Sequence, residues 1–516
     1  MLQIVAEDDL ELKHIDFDTA FLNGILNEPE DIYMEQPEGQ EVGDPKLFVC
    51  KLIKSIYGLK QASRVWYKSV SKLLIELGWK PSLVDPCFFT KKSKTGNLMY
   101  MSLYVDDSGI AYKKCDEQEW LSDKEEIAKT YKIKDIGDMH WMLHMKITRD
   151  RKNKTITISQ EAYIRSMIDK FKLTNAVSAD NPELVKSLNV ESRLLNEEEH
   201  STYRSLVGAL LYAAIITRID IAHAVGDLSR YLASPTEHHL HAARHVLKYL
   251  KGTIKLGLLF GDRTKVRSID DASEVKRRKR IVIKRGEESV KETSPEKSRI
   301  RIITLKKKDH NCENIASAGD QKKIYLKNKK DQSCEKADDQ HDLETSNHVE
   351  TYVSTDYDNN KSLLAFTDSD WGGNDRDRRS VTGTIVKYKG SPVSWFSKRQ
   401  ATVALSTTEA EYMAISATVQ EALWFRMWMK EVLNEQVKIP VLCDNQGAIK
   451  MTKNEGDSQR TKHIDIRHHF IRDHVQKGAI IMKWIATEYQ EADILTKRLP
   501  THQFVKLRDK LLVECE

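Results

Sequence analysis

In the last third of the chain, acidic residues recur where apolar strand-like runs stop or helix-like runs start. Leu363 to Thr367 is an apolar run ending in Asp368, and strand-like pieces at Thr384 to Tyr388 and Val393 to Phe396 follow. Ser406-Thr407-Thr408-Glu409 then forms a capping box, in which a hydroxyl and a carboxylate three residues apart satisfy the first free N–H groups of a helix. Glu411 lies in the first turns of that helix. Its apolar residues Ala410, Met413, Ala414, Ala417, Leu423, Trp424 and Trp428 predict one buried stripe. Ile439 to Cys443 is a strand ending at Asp444, Ile480 to Ile485 is another, and Asp493 sits in a predicted last helix, Ala492 to Arg498. A hydrophobic pattern that switches between period two and period 3.6 predicts an α/β fold. Its strand ends and helix starts meet at one sheet edge. Each acid alone reads as a turn residue, a solvated helix position or a helix-start charge. In this order, Asp368, Glu411, Asp444 and Asp493 point to carboxylates gathered around two divalent cations, for phosphoryl transfer.

A second acidic group lies near the N-terminus. Leu98 to Val105 is an apolar strand, Asp106-Asp107-Ser108-Gly109 a turn, and Ile110 to Tyr112 a short returning strand. Asp16 ends a further apolar segment before a helix-like run, Thr19 to Leu26. Three carboxylates on neighbouring strand ends suit paired hard cations, magnesium or manganese rather than zinc.

The series HIDFDTAFLNG, IYMEQPEG, KLIKSIYGLKQASRVWY, LYVDDSGI and ISQEAYIRSMIDKF resembles the reverse transcriptase of copia-type retrotransposon Pol polyproteins, over about Leu10 to Gly252. FTDSDWGGNDRDRRSVTG, SWFSKRQATVALSTTEAEYMAISATVQEALW, LCDNQGAIKM, RTKHIDIRHHFIRDHV and EADILTKRLP resemble the ribonuclease H part of the same elements, over about Leu363 to Pro500. The resemblance implies an α+β polymerase palm followed by a ribonuclease H-like α/β domain. It implies Asp16, Asp106 and Asp107 as metal-binding acids of DNA synthesis, with Tyr57, Gly58, Gln61 and Arg64 at the nucleotide and template. It implies Asp368, Glu411, Asp444 and Asp493 as those that cut RNA in an RNA–DNA hybrid. The implied partners are RNA, DNA, their hybrid and deoxynucleotide triphosphates, with Mg2+ or Mn2+ as cofactor. Asp18 and His144 stand where the family has a basic residue and a glycine, and Ser63 replaces a proline. No histidine lies between Ala486 and Ala492. Only 15 residues precede Asp16, whereas the family places a fingers region there, so DNA synthesis is expected to be impaired.

Composition supplies the rest. Residues 1–260 read as palm and helical connection, with Ser201 to Gly252 helical throughout and broken at Ser234-Pro235; residues 361–516 read as the nuclease part. Residues 261–360 are rich in Lys, Arg, Glu, Asp, Ser and Asn, carry the basic run Lys276 to Arg280, and predict a disordered linker or insertion. Seven cysteines without a CxxC pair argue against a zinc ribbon or a disulfide framework. There is no run of roughly 20 apolar residues for a membrane span and no secretion signal, so a cytoplasmic particle or the nucleus is the expected location. A net charge of +5 permits a polyanionic partner. His238, His239, His241 and His245 read as a solvated helix face, and Trp371, Trp395 and Trp424 as core residues. The alternative function is a catalytically inactive, host-retained relic that binds nucleic acid.

Overall fold

The computed structural model describes residues 1–26, 31–44, 46–184, 188–263, 363–373, 377–453 and 462–515. The predicted linker at 261–360, with its basic run, lies outside the described residues except for 261–263. The described residues belong to one compact unit, and its elements mix helix and sheet as an α/β chain requires.

The first sheet is built from β1 (Glu11–Phe17), β4 (Lys80–Pro81), β5 (Phe88–Lys92), β6 (Leu98–Tyr104), β7 (Asp107–Tyr112) and β8 (Ile133–Asp138), in the order β4-β5-β6-β7-β1-β8. A two-stranded ribbon, β2 (Tyr33–Met34) with β3 (Cys50–Lys51), lies outside it. Helices α2 (Ala62–Glu76) and α3 (Glu117–Thr130) bury Trp66, Val70, Leu74, Trp120 and Ile127 against Ile15, Phe17, Met99, Met101 and Ile110. The predicted hairpin is present, but β7 begins at Asp107, so the tip is Val105-Asp106. Val105 has φ 56°, a left-handed conformation that a β-branched residue adopts only under constraint. The constraint is the Trp66 indole N–H, which donates to the Val105 carbonyl at 2.7 Å.

A second sheet has the order β18-β12-β11-β10-β9, from β9 (Trp141–Met142), β10 (Met145–Asp150), β11 (Thr155–Ser159), β12 (Leu256–Gly261) and the C-terminal β18 (Val513–Glu514). Between them run α4 (Glu161–Lys170), α5 (Glu197–Ile216), α6 (Ala222–Ser229) and α7 (Glu237–Gly252). The stretch expected to be helical throughout is thus three helices, parted first at Thr217, Arg218 and a 3-10 turn. There Arg218 is fully buried and pairs with Asp220 at 2.7 Å.

The third sheet has the order β15-β14-β13-β16-β17: β13 (Leu363–Asp370), β14 (Val381–Tyr388), β15 (Ser391–Arg399), β16 (Ile439–Cys443) and β17 (Ile480–Trp484). β14 runs antiparallel to β13 and β15, while β13, β16 and β17 are parallel. Parallel neighbours need long crossovers, which α8 (Thr407–Val432) and, with α9 (Gln446–Lys453), α10 (Lys462–Gln476) supply. Leu363 to Ser369 on β13 are all buried, as a strand covered on both faces demands.

Several expectations need correction. Thr19 to Leu26 is only a 3-10 turn at Ala20–Asn23, entered through a left-handed Thr19. α8 buries Ala410 to Ser416 without a break rather than one stripe, because it is wrapped by sheet, α9 and α10. The last helix is not at Ala492 to Arg498. A 3-10 turn, Glu491–Leu495, stands there, and α11 (Thr501–Leu511) starts after Pro500. The buried Gln490 amide donates to the Thr367 carbonyl at 3.0 Å, tying this turn to β13. His239 is buried, stacks on Tyr231 at 3.9 Å and caps α7, so of the four histidines read as a solvated face it does not belong there, whereas His241 is exposed. Trp371 is 54% exposed and is no core residue.

The C-terminal part is fastened to the rest at several points. β18 extends the second sheet by pairing with β12. The Glu431 carboxylate at the end of α8 accepts from Ser82 Oγ at 2.9 Å and from the Leu83 N–H at 2.6 Å. The Trp395 indole donates to the Ala214 carbonyl at 2.9 Å.

The β9–β10 loop carries a testable cost. Leu143 and His144 occupy a two-residue hairpin loop at φ 49° and 58°, where glycine and asparagine are favoured. Stacking of His144 on Tyr163 and the Tyr212 hydroxyl on the Leu143 carbonyl (2.6 Å) hold it. The double substitution Leu143→Asn, His144→Gly is expected to raise stability by about 1 kcal/mol, read as a higher denaturation midpoint.

Candidate metal centres

Two of the four C-terminal acids sit on or just beyond neighbouring parallel strands, β13 and β16; the others come from the helix and turn packed against them. Asp368 on β13 is fully buried, Asp493 and Glu411 are nearly so, and Asp444 follows β16. Ligand oxygens of Asp368, Asp444 and Asp493 lie within 4.8 Å of one another. Glu411 joins through Asp444 and Cys443, which fall within the same limit as a second group. All four expected acids are therefore brought together.

Their own charges make this arrangement costly. Burial pushes the Glu411 carboxyl up to about 10, with Asp368 and Asp444 adding repulsion. Burial, then Asp368, lifts Asp493 to about 7. Asp444 is raised as well, by burial and Asp368. The compensating contacts are few. The Ser369 N–H donates to Glu411 Oε1 at 3.3 Å, Thr487 Oγ1 donates to Asp444 Oδ2 at 2.7 Å, and the Thr496 hydroxyl donates to Asp368. Lys497 Nζ bridges Asp368 Oδ1 at 3.1 Å and Asp493 Oδ1 at 3.0 Å. Hard oxygen donors, buried and short of counter-charge, fit divalent cations.

Sequence reasoning missed Lys497 and Cys443. Lys497 had a signal: four residues after Asp493 it returns to the same side of a turn. The Cys443 thiol donates to Glu411 Oε2 at 3.8 Å and is pushed well up by burial. It is therefore a protonated donor beside the acids.

The N-terminal acids are arranged differently. Asp16 faces Asp107 across the β1–β7 ladder, and Asp106 occupies the hairpin tip, its carbonyl accepting from the Phe17 N–H at 2.9 Å. His14 Nε2 lies 3.0 Å from Asp107 Oδ1. Among the described residues these three acids do not form a group of ligand atoms as close as the C-terminal set. Asp18, expected to add negative charge, is instead paired with Lys132 at 2.6 Å and Lys134 at 3.2 Å. Hydrogen bonds from Lys132 and then Lys134 hold its carboxyl below the usual range. Lys134 also lies 3.7 Å from Asp16. Tyr57 packs on Phe21 at 4.8 Å, and burial, then Asp106 and Asp16, raises its phenol. Gly58 has φ 98°, which explains glycine there. Gln61 is half-buried at the start of α2, and Arg64 is exposed in its first turn.

Comparison with known proteins covers both acidic centres. Residues 1–185 match the family described as "Reverse transcriptase (RNA-dependent DNA polymerase)". A retrovirus-related Pol polyprotein from transposon TNT 1-94 of Nicotiana tabacum is 32% identical over 98% of this chain and 31% of its own length. The corresponding polyprotein from transposon RE1 of Arabidopsis thaliana is 29% identical over 99% of the chain and 28% of its own length. The chain thus spans about a third of these relatives. A putative transposon Ty5-1 protein of Saccharomyces cerevisiae is 32% identical over 48% of the chain and 78% of its own length. Among solved structures, the foamy viral protease-reverse transcriptase dRH in complex with double-stranded DNA is 10% identical, with a TM-score of 0.41, over 95% of this chain and 57% of that one.

The carboxyl shifts set a pH dependence. Asp493 and Glu411 are raised in the folded state, so without metal their contribution to stability is full below about pH 4. It is lost as pH rises through about 7 for Asp493 and about 10 for Glu411. Unfolding midpoints of metal-free protein should fall over this range, and added Mg2+ should flatten the fall. Asp444→Asn should raise metal-free stability at pH 8 by about 1 kcal/mol while weakening the Mg2+ response.

Proposed function

Because the chain belongs to the copia-type retrotransposon Pol polyproteins, we propose that its C-terminal part cleaves the RNA strand of RNA–DNA hybrids and that its N-terminal part derives from RNA-directed DNA synthesis. The observation that carries this reading is the convergence of Asp368, Glu411, Asp444 and Asp493 with too little counter-charge of their own. Such a set would hold two divalent ions, magnesium or manganese, which polarise a phosphodiester and favour hydroxide over water.

The chain's residues do the positioning. Asp368 and Asp493 form the buried wall, kept in place by Thr496 and Lys497. Asp444, half-exposed and fixed by Thr487, is the acid nearest solvent, where an attacking water and the RNA strand would arrive. Glu411, held by the Ser369 N–H, stands beside Asp444. In the N-terminal part, Asp16, Asp106 and Asp107 would take the metal-binding role of the polymerase, and Tyr57, Gly58, Gln61 and Arg64 would face the nucleotide and template. DNA synthesis is proposed to be the weaker activity, because these acids lie further apart and Lys134 already draws on Asp16. Deoxynucleotide triphosphates would be its substrates.

One observation favours a second reading. Lys497 already bridges two of the four acids, as a cation would. A lysine that permanently replaced a metal would leave a nucleic-acid-binding relic without activity.

Hybrid cleavage in Mg2+ separates the two readings. Wild type should cut the RNA strand, and Asp368→Asn should reduce the rate at least about 100-fold. Equal, negligible rates for both would leave the relic. Lys497→Gln discriminates further. If the lysine only steadies the acids, this variant should need more Mg2+ for half-maximal activity and melt at lower temperature. If it blocks the metal, activity should appear where wild type has none.

A further inference from the structure

The two faces of β1 end in different surroundings. Ile15 and Phe17 enter the core under α2 and α3, whereas Leu12 joins the core that includes α5 and α7. Side chains two apart on a strand share a face, so His14 and Asp16 lie on the face of Leu12. Across the ladder, β7 sets Ala111 opposite Leu12, Gly109 opposite His14 and Asp107 opposite Asp16. His14 is thus the step between apolar core and acids, and its side chain is only 7% exposed. Its partner on β8 is Gly137, so neither neighbouring strand carries a side chain beside it. A Cβ on Gly109 would meet Met139 Cε at 2.6 Å and Ser102 Oγ at 3.0 Å. The imidazole stands in a slot walled by bare backbone.

From that slot His14 Nε2 reaches Asp107 Oδ1 at 3.0 Å. Among the described residues, no other side-chain hydrogen bond or ion pair holds that carboxylate. Asp16 faces it directly, and like charges opposite each other across a ladder repel. Left to itself, Asp107 would turn outward to water. The bond to His14 draws it back over β1 and leaves Oδ2 for a cation. An imidazole with a proton on Nε2 donates to a carboxylate oxygen whether or not Nδ1 carries one too, so the contact does not depend on the charge of the ring.

We propose that His14 is a positioning residue of the N-terminal metal centre: its Nε2–H fixes Asp107 so that this carboxylate shares a divalent cation with Asp16 and Asp106. The inference rests on the reading of these three acids as metal ligands, and it names what aims one of them. Thr496 and Lys497 do the same for Asp368 in the C-terminal centre. A glutamine amide can stand where Nε2 does and donate the same bond, whereas a methionine of similar length cannot.

The test is Mn2+ binding to the full chain, read from the electron paramagnetic resonance of the free ion. Asp368→Asn and Asp493→Asn are introduced first, to disable the C-terminal centre. One Mn2+ site should remain, and Asp106→Asn should remove it. His14→Met should weaken that site about tenfold or more, and His14→Gln should keep it within about threefold. In an Asp107→Ala background, His14→Met should change the affinity by less than about twofold, since a residue that acts only through Asp107 has nothing left to hold. A His14→Met protein that binds Mn2+ as its parent does overturns the proposal. So does a His14→Gln protein that loses as much as His14→Met, which would mark a packing role. If no Mn2+ site responds to Asp106→Asn, the metal reading of the N-terminal acids fails and the role of His14 falls with it; a site that is present but indifferent to His14 sinks only the latter.

Discussion

Repulsion among buried carboxylates is the constraint around which the C-terminal half is organised. Bringing Asp368, Glu411, Asp444 and Asp493 together opposes folding, because each loses hydration and each raises the cost of ionising the next. The fold bears this cost through rigidity. β13 is buried on both faces, flanked antiparallel by β14 and parallel by β16, so Asp368 has no freedom to withdraw. The Gln490 amide binds the 3-10 turn to the Thr367 carbonyl, which places Asp493 against Asp368. Gly383 on β14 belongs to the same packing: a Cβ there would meet Thr496, Leu495 and the Ala492 carbonyl at 2.7–2.9 Å. The turn that carries Asp493 and Lys497 can approach only because β14 is bare at that point.

The N-terminal acids illustrate a different solution. Their strain is in the backbone rather than in the charges. Val105 is held left-handed by the Trp66 indole, and that hold sets where Asp106 stands relative to Asp16. The local negative charge is met by Lys132, just before β8, and Lys134 on it, which reach Asp18 and Asp16 from the solvent side. Surface pairs of this kind are weak and easily exchanged. The C-terminal cluster relies instead on a half-buried lysine that bridges two buried acids. The two centres therefore differ in how firmly a cation is already provided for.

Much of this was legible in the sequence, for identifiable reasons. Ile439–Cys443 appears where its apolar run places it, and the hairpin around Asp106 is present, although Asp107 to Gly109, read as turn residues, pair in the strand instead. The capping box also holds in part: Ser406 Oγ accepts from the Glu409 N–H, although the Glu409 carboxylate bonds the Leu405 N–H instead. What the pattern missed was decided by contacts distant in sequence. Asp493 looked helical because its neighbours favour helices, but Gln490 and Thr496 bond to β13 and hold a tighter turn. His239 looked solvated because its helix is polar, but Tyr231 lies across it. β18 had no local signal, since two residues become a strand only when β12 presents an open edge.

That last pairing bears on how the two halves depend on each other. α11 buries Phe504, Leu507 and Leu511 in the same core as Tyr203 and Leu210 of α5 and Val246 and Leu250 of α7, and β18 then extends the second sheet. The C-terminal residues thus serve the core around α5 and α7 as well as the third sheet, whose covering helix α8 in turn leans on the β4–β5 loop through Glu431. A C-terminal part cut free of α5 and α7 would expose the apolar face of α11. Since burial of an apolar face of that kind is a main source of folding free energy, position and stability of the carboxylate site are set jointly by both halves. The separation between the two acidic centres is then a property of a packed core rather than of a linker.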